Sequence, residues 1–270
     1  MGCGASALVA QAAPATPLCA SAIGNDASLQ LTLQADTPDD ALEVNFFDET
    51  GKLVITQRRN HLPHNAVLNF PNGNCPFTGA VAAPANVTYL DAAGKICAVL
   101  QNSNNGDRSM MEWSDLDAVP LHAPADGYRN GEGFSVLYAA TPPEGGVASD
   151  VASGVGLSCI GQIKCLKTEK QRASLGLDYR YLGGTGFYPL QPDGTFASAP
   201  TLKFDGTATY SDNKQCVAKN GACYGHRPAP PKVTTAAGVE ALLVLALASE
   251  YDANRRGVET APMGAFGMGG

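Results

Sequence analysis

Charge is scarce in this chain, and positive charge is nowhere gathered over a broad face. Only 16% of the 270 residues are charged, and the formal net charge is −7. Sequence-independent binding of nucleic acid needs a basic face that displaces counterions from phosphates, so the balance excludes nucleic acid as a partner. No stretch approaches the run of roughly eighteen apolar residues that a membrane-spanning helix requires. No Cys-x-x-Cys pair occurs among the eight cysteines, which removes a zinc-ribbon reading. No Gly-x-Ser-x-Gly elbow, Walker loop or dinucleotide fingerprint is found. Gly183-Gly184-Thr185-Gly186 reads as a Gly-rich turn, and with no helix signal behind it, it is not a phosphate cradle. His61-Leu62-Pro63-His64 reads as a polar turn: Pro63 opposes a helix and no third metal ligand is placed. On these grounds no catalytic residue, metal site or cofactor is assigned, and an enzyme is not expected.

What the chain has is apolar and turn-forming. Hydrophobic residues make up 44%, enough for a sizeable core, and 30 Gly and 18 Pro fit many turns between short strands. The cysteines (Cys3, Cys19, Cys75, Cys97, Cys159, Cys165, Cys216 and Cys223) permit four disulfides in a secreted chain, or stand as scattered thiols in a cytosolic one. The N-terminus favours the second. Met1-Gly2-Cys3-Gly4-Ala5-Ser6 fits the N-myristoylation pattern, with Gly2 as acceptor and Ser6 at the favoured position. Cys3 beside it is a candidate for S-palmitoylation. One myristoyl chain holds a membrane only marginally, and a second makes the attachment stable. The rival signal-peptide reading of the Ala-rich stretch from Ala7 to Ala22 lacks a basic start and is interrupted by Pro14 and Pro17.

Residues 1–28 read as an acylated flexible arm, with 7–27 rich in Ala, Pro, Ser and Thr. From Leu29 the pattern changes: Leu29, Leu31 and Leu33 alternate with Gln30, Thr32 and Gln34, as in a half-buried strand. A unit then recurs. Val44 to Ile55 aligns without gaps on Val87 to Ala98, and each copy is strand, Asp-x-x-Gly-Lys turn, strand. Asp bonds the backbone ahead of it and Gly supplies the positive φ of a hairpin turn. Pro192-Asp193-Gly194 and Asp205-Gly206 repeat that chemistry. Gly186–Leu190, Thr201–Phe204, Phe134–Ala139 and Val155–Ile160 are further strand candidates. Residues 102–109 and 141–154 read as loops.

Past Pro231 the style changes once. Thr234 or Thr235 is a candidate N-cap for a helix over about 236–254. Residues 241 to 248 are all apolar, so this helix has no polar stripe and is expected to be surrounded by protein. A mainly β chain with one buried late helix points to a barrel or curled sheet wrapped around that helix. The tail 257–270, rich in Gly and Met, reads as disordered.

The stretch Ala237-Gly238-Val239-Glu240-Ala241-Leu242-Leu243-Val244-Leu245-Ala246-Leu247-Ala248 resembles the C-terminal helix of LURP-one-related proteins, which belong with the tubby C-terminal domains and phospholipid scramblases. The hairpins with Asp-x-x-Gly-Lys turns are similar to that group's repeating units. The resemblance covers roughly 29–256 and implies a closed antiparallel β-barrel of roughly twelve strands around a central hydrophobic helix. It also implies binding of membrane phosphoinositide, or a scaffold role. The chain departs from the group at Glu240, where relatives often carry Asp. It also lacks a scramblase-type polycysteine run, a clear calcium loop and a span after the helix.

A lipid headgroup with phosphate calls for clustered cations. Lys164, Lys167, Lys170 and Arg172, opposed only by Glu169, form the densest basic stretch, and Arg58 and Arg59 are a second candidate. Each basic residue near an anionic leaflet contributes about 1 kcal/mol. The plain alternative for either cluster is a solvated basic loop. The expectation is therefore a lipid-binding or scaffold lipoprotein, peripheral on the cytosolic face of a membrane, whose protein partners the residues do not specify. The alternatives are a secreted, disulfide-linked β binding or carbohydrate-active domain, and a lipid scramblase. Asn86-Val87-Thr88, a glycosylation acceptor only in a secreted chain, is expected to begin a strand.

Overall fold

The computed structural model describes residues 7–59 apart from 13, 15, 25, 39 and 40, together with 86–102, 134–140, 157–167, 182–221 and 229–259. Among these, a short 3-10 turn, Ala20–Ala22, precedes twelve strands and one helix. The strands are β1 (Leu29–Leu33), β2 (Glu43–Phe47), β3 (Leu53–Arg59), β4 (Asn86–Asp91), β5 (Ile96–Asn102), β6 (Phe134–Ala140), β7 (Leu157–Lys167), β8 (Leu182–Pro189), β9 (Leu202–Phe204), β10 (Ala208–Ser211), β11 (Cys216–Asn220) and β12 (Lys232–Thr235). The helix, α1, is Ala241–Glu259. Each strand pairs antiparallel with the next in sequence, and β12 closes on β1, with Leu31 opposite Val233. Closure leaves no free sheet edge to pair with another chain.

The turns explain the local order. In the β2–β3 hairpin, Oδ1 of Asp48 accepts hydrogen bonds from the Thr50 and Lys52 N–H groups and from the Thr50 hydroxyl. These bonds hold the Asp48 carboxyl below its usual range. In β4–β5, Asp91 accepts from Ala93 and Lys95 in the same way. Gly51 and Gly94 take φ of 79° and 78°. The two copies even share a register shift, after Phe46 in one and after the aligned Tyr89 in the other. The internal repeat is thus two hairpins with the same turn bonds and the same register shift.

Alternate strand residues fill the interior. Leu31, Phe46, Ile55, Tyr89, Ala98, Leu137, Ile163 and Val233 are fully buried. Within them lies α1. Ala241, Leu242, Val244, Leu245, Ala246 and Leu247 have no exposed surface, and six such residues cover every side of a helix. Burying a Leu side chain stabilises by about 2 kcal/mol, so Leu242, Leu245 and Leu247 together decide that this helix lies inside. Polar contacts reach it from three sides. The Thr185 hydroxyl (β8) donates to the Leu247 carbonyl at 2.9 Å, the Tyr89 hydroxyl (β4) to Ser249 Oγ at 3.1 Å, and the Ser135 hydroxyl (β6) to the buried Glu250 carboxylate. The closed barrel around a hydrophobic helix is as expected.

Several local expectations change. Thr234 and Thr235 are not an N-cap but lie in β12, paired with β1 and β11. The helix begins at Ala241, not near 236, because Ala237, Gly238 and Glu240 serve as backbone partners for the N-terminal segment. Gln11 N–H donates to Ala237 O, Gly238 N–H donates to Gly24 O, and Glu240 forms a β-bridge with Ile23. Gly238 turns the chain there with φ of 76°. The other end runs to Glu259, into the stretch read as tail. The same contacts correct the reading of 7–27 as a free arm. Val9 N–H also donates to Cys216 O, and Cys19 and Ala22 are buried in the core. Gly183 to Gly186 lie within β8 rather than in a turn. Asn86 does begin a strand, β4. His61, His64 and the expected loops 103–109 and 141–154 lie outside the described residues.

Candidate functional site

Strand alternation places Gln162, Lys164 and Tyr188 together. Gln162 and Lys164 are two apart on β7 and so share a face, and Tyr188 stands directly opposite Gln162 on β8. Interior positions such as Ile163 and Phe187 alternate with them, so this trio faces outward. The β8–β9 connection then folds back over it. Leu190 bridges Phe196, and Ala197 N–H donates to Pro189 O at 2.9 Å. The fold-back is tightened by the Asp193-Gly194 turn, in which Asp193 Oδ1 accepts from the Thr195 N–H at 2.9 Å and from its hydroxyl at 2.7 Å. Those two bonds, backbone first, hold the Asp193 carboxyl low.

Between sheet and fold-back lies a cleft of about 330 Å³ lined by Gln162, Lys164, Tyr188, Thr195, Phe196, Ala197 and Ser198. The Lys164 ammonium lies 5.0 Å from the centre of the Tyr188 ring, in cation–π geometry. Gln162 is only 2% exposed, and its Oε1 has no hydrogen-bond partner. A buried amide oxygen without a partner costs about 1–3 kcal/mol. A ligand hydroxyl or N–H would satisfy it only once the Gln162 side chain turned into the cleft. One strand further, Lys203 on β9 faces Gly186, which itself faces Lys164. Lys164 and Lys203 thus lie on one face with only a glycine between them. The cleft offers a cation, an unmet acceptor and an aromatic wall, a set suited to a polar anionic group carrying hydroxyls.

The sequence candidates are distributed unevenly. Lys164 is in the cleft, on a strand rather than in a loop. Lys167 ends β7, and its side chain is outside the described residues, as are Lys170, Arg172, Gly2 and Cys3. Arg58 is engaged elsewhere: its ε N–H donates to Glu43 Oε2 at 2.6 Å across the β2–β3 pair. Arg59 follows on β3, with its side chain undescribed. Strands β4, β5 and β6 separate β3 from β7, so Arg58 and Lys164 do not converge. Gln162, Tyr188, Thr195 and Ser198 were not singled out from sequence. In the covering segment only the Pro192-Asp193-Gly194 turn was legible from sequence, not its return over β7.

No family model matches the chain, and no curated protein matches it. A solved X-ray structure of a protein from Arabidopsis thaliana is similar, with 10% identity over 87% of this chain and 96% of that one, and a TM-score of 0.40. Among the described residues no helix is long and apolar enough to cross a membrane, and no group of three metal-ligating side chains occurs.

Proposed function

We propose that this protein is a tubby-like barrel, related to the LURP-one group, tethered to the cytosolic face of a membrane by N-myristoylation of Gly2 with Cys3 as a second acylation site. Its cleft at Lys164 takes a phosphorylated lipid headgroup. One observation carries the reading: Gln162, whose amide oxygen is buried without a partner, lines the same cleft as Lys164. A phosphorylated polyol supplies an anion for the lysine and a hydroxyl for the amide. Lys203 on the same face, and Lys167, Lys170 and Arg172 following Lys164 in sequence, add cations at about 1 kcal/mol each beside an anionic leaflet. The acyl chains supply most of the attachment and the headgroup sets orientation. Burial of the free thiols Cys159 and Cys216 within the barrel wall supports a chain that folds without a disulfide framework.

Two measurements test the two halves. Intact mass of the native N-terminus and fractionation of Gly2→Ala address the tether: the variant is expected in the soluble fraction, and unchanged partitioning rejects acylation. Sedimentation of the unacylated protein with phosphatidylcholine vesicles, with and without phosphoinositide, addresses the cleft. Replacing Lys164, Lys167, Lys170 and Arg172 together by Ala is expected to abolish the phosphoinositide-dependent fraction, and unchanged binding rejects the headgroup site.

A further inference from the structure

Lysine is distributed unevenly around the barrel. Strands β7 to β12 carry Lys164, Lys167, Lys203, Lys219 and Lys232 and no acidic residue. The other six strands carry Glu43 and Asp91 beside Arg58 and Arg59. The bias extends to the connections: ten of the 18 basic residues but only five of the 25 acidic ones fall between 157 and 235. A chain of net charge −7 therefore has one half with a surplus of positive charge.

Alternation turns three of these lysines outward. On β9, the Phe204 ring meets Tyr251 of α1 edge-on at 5.5 Å, so Phe204 points in and its neighbour Lys203 points out. Lys219 on β11 lies between the buried Ala218 and Asn220, and Lys232 on β12 precedes the buried Val233. All three lysines are exposed. Register joins them in a diagonal stripe. Lys203 stands opposite Tyr210 on β10, and Ala208, two positions back on that strand, stands opposite Lys219. Lys219 in turn stands opposite Thr234, two positions from Lys232. Such diagonal neighbours lie about 7–8 Å apart. Among the described residues the acids of this half, Asp193, Asp205 and Asp212, lie in turns and not on the strands. Oδ1 of Asp193 and of Asp205 is engaged by the N–H groups of its own turn. The Arg58–Glu43 ion pair is on β2–β3, and β3 stands six strands from β9 in the closed order. Like charges gathered on one face with no acid among them complement an extended anionic surface.

The chain's own course indicates which surface. The N-terminal segment leaves the barrel on this flank: Val9 N–H donates to the carbonyl of Cys216, three positions before Lys219 on β11. The Gln11 side chain donates to Gln215 Oε1 at 3.4 Å. Gly2 precedes Val9 by seven positions, a reach of at most about 25 Å. An acyl chain on Gly2 therefore holds β11 beside the bilayer. We propose that the barrel lies on an anionic leaflet by its β9–β12 flank, with Lys203, Lys219 and Lys232 against lipid phosphates and β3 turned away. The orientation rests on the membrane-attachment reading, and it makes no use of the Lys164 cleft.

The first test uses the full chain carrying Gly2→Ala, so that acylation adds nothing. The vesicles are phosphatidylcholine with phosphatidylserine and no phosphoinositide. Each basic residue near an anionic leaflet is worth roughly fivefold in partitioning. Replacing Lys203, Lys219 and Lys232 together by Ala is expected to weaken partitioning about 100-fold. Replacing Lys52, Arg58 and Lys95 together, on the opposite side, is expected to weaken it only a few-fold. The three stripe lysines are exposed, and an unchanged thermal midpoint checks that the variant folds. Undiminished partitioning overturns the proposal, as does an equal loss in the two triple variants, which would assign the effect to net charge. The second test acetylates lysines of the native chain on the same vesicles and maps the peptides. Lys203, Lys219 and Lys232 are expected to be protected, and Lys52 and Lys95 are not. Even protection of both sets overturns the orientation. Protection of the three that rises with protein concentration without vesicles gives the flank to a second copy, and also overturns it. Gly2→Ala remaining with membranes removes the tether, and unchanged phosphoinositide binding in the Lys164 variant removes the cleft; neither result alters these two readouts.

Discussion

The carboxylate of Glu240 accepts a hydrogen bond from the backbone of Cys19, 221 positions earlier in the chain, at 2.7 Å. It ties the segment before β1 to the residue that precedes the central helix. Burial pushes the Glu240 carboxyl up from an ordinary 4.5 to about 7. A carboxyl raised on folding favours the native state while it is protonated. Its contribution is complete below about pH 4.5 and is lost as pH rises through about 7. Each tenfold change in an acid's ionisation equilibrium is worth about 1.4 kcal/mol, so the loss is on the order of 3 kcal/mol. Glu240→Gln keeps the acceptor and removes the titration. Urea midpoints of the variant are expected to stay level from about pH 5 to about pH 8, while those of the wild type fall. Parallel curves would assign the pH dependence to another group.

The central helix should respond unequally to truncation. Leu245 is fully buried and Leu243 only partly so. Leu245→Ala is expected to cost about 2–5 kcal/mol in urea unfolding, through lost transfer energy and the cavity left behind. Leu243→Ala should cost distinctly less. Equal costs would contradict the placement of the helix face.

Gly184 is held in β8 at φ of 113°, and a Cβ there would lie 1.9 Å from the Phe204 carbonyl oxygen of β9. Gly184→Ala must therefore separate β8 from β9 or distort both. The expected outcome is a fall in thermal midpoint well beyond that of Gly51→Ala. Gly51 also has positive φ, but a side chain there meets nothing within 4 Å, so only the backbone cost of about 1–2 kcal/mol remains.

Gln162→Leu separates binding from folding. The amide oxygen is buried and unpartnered, so an apolar side chain of similar volume is expected to leave stability within about 1 kcal/mol or raise it. Phosphoinositide-dependent vesicle sedimentation should fall at the same time. A stable variant with unchanged sedimentation would remove Gln162 from the site.

The Arg58–Glu43 pair provides a contrast on the far side of the barrel. Its side chains are 37% and 47% exposed, and exposed pairs of this kind contribute about 0–1 kcal/mol. Arg58→Ala is expected to change neither the urea midpoint by more than that nor the vesicle-bound fraction. A large loss of binding would move the headgroup site from β7 to β3.

The periodicities in this chain are short-range, and what depends on them was readable in advance. Leu29, Leu31 and Leu33 marked β1 because side chains alternate along a strand. The Asp48 and Asp91 turns announced their hairpins because an Asp carboxylate and a positive-φ glycine act within four residues. The unbroken apolar run from Ala241 to Ala248 announced a helix with no solvent face. Everything joined across long sequence distances was settled only by the three-dimensional arrangement. No local pattern states that β12 closes on β1, that Gln11 and Gly24 take the backbone groups of Ala237 and Gly238 and so delay the helix, or that the segment after Pro189 folds over Gln162. Nor does any spacing bring Cys19 to Glu240. Such contacts arise because a closed barrel must satisfy its interior and its ends at once, and only the packed chain shows which distant residues do so.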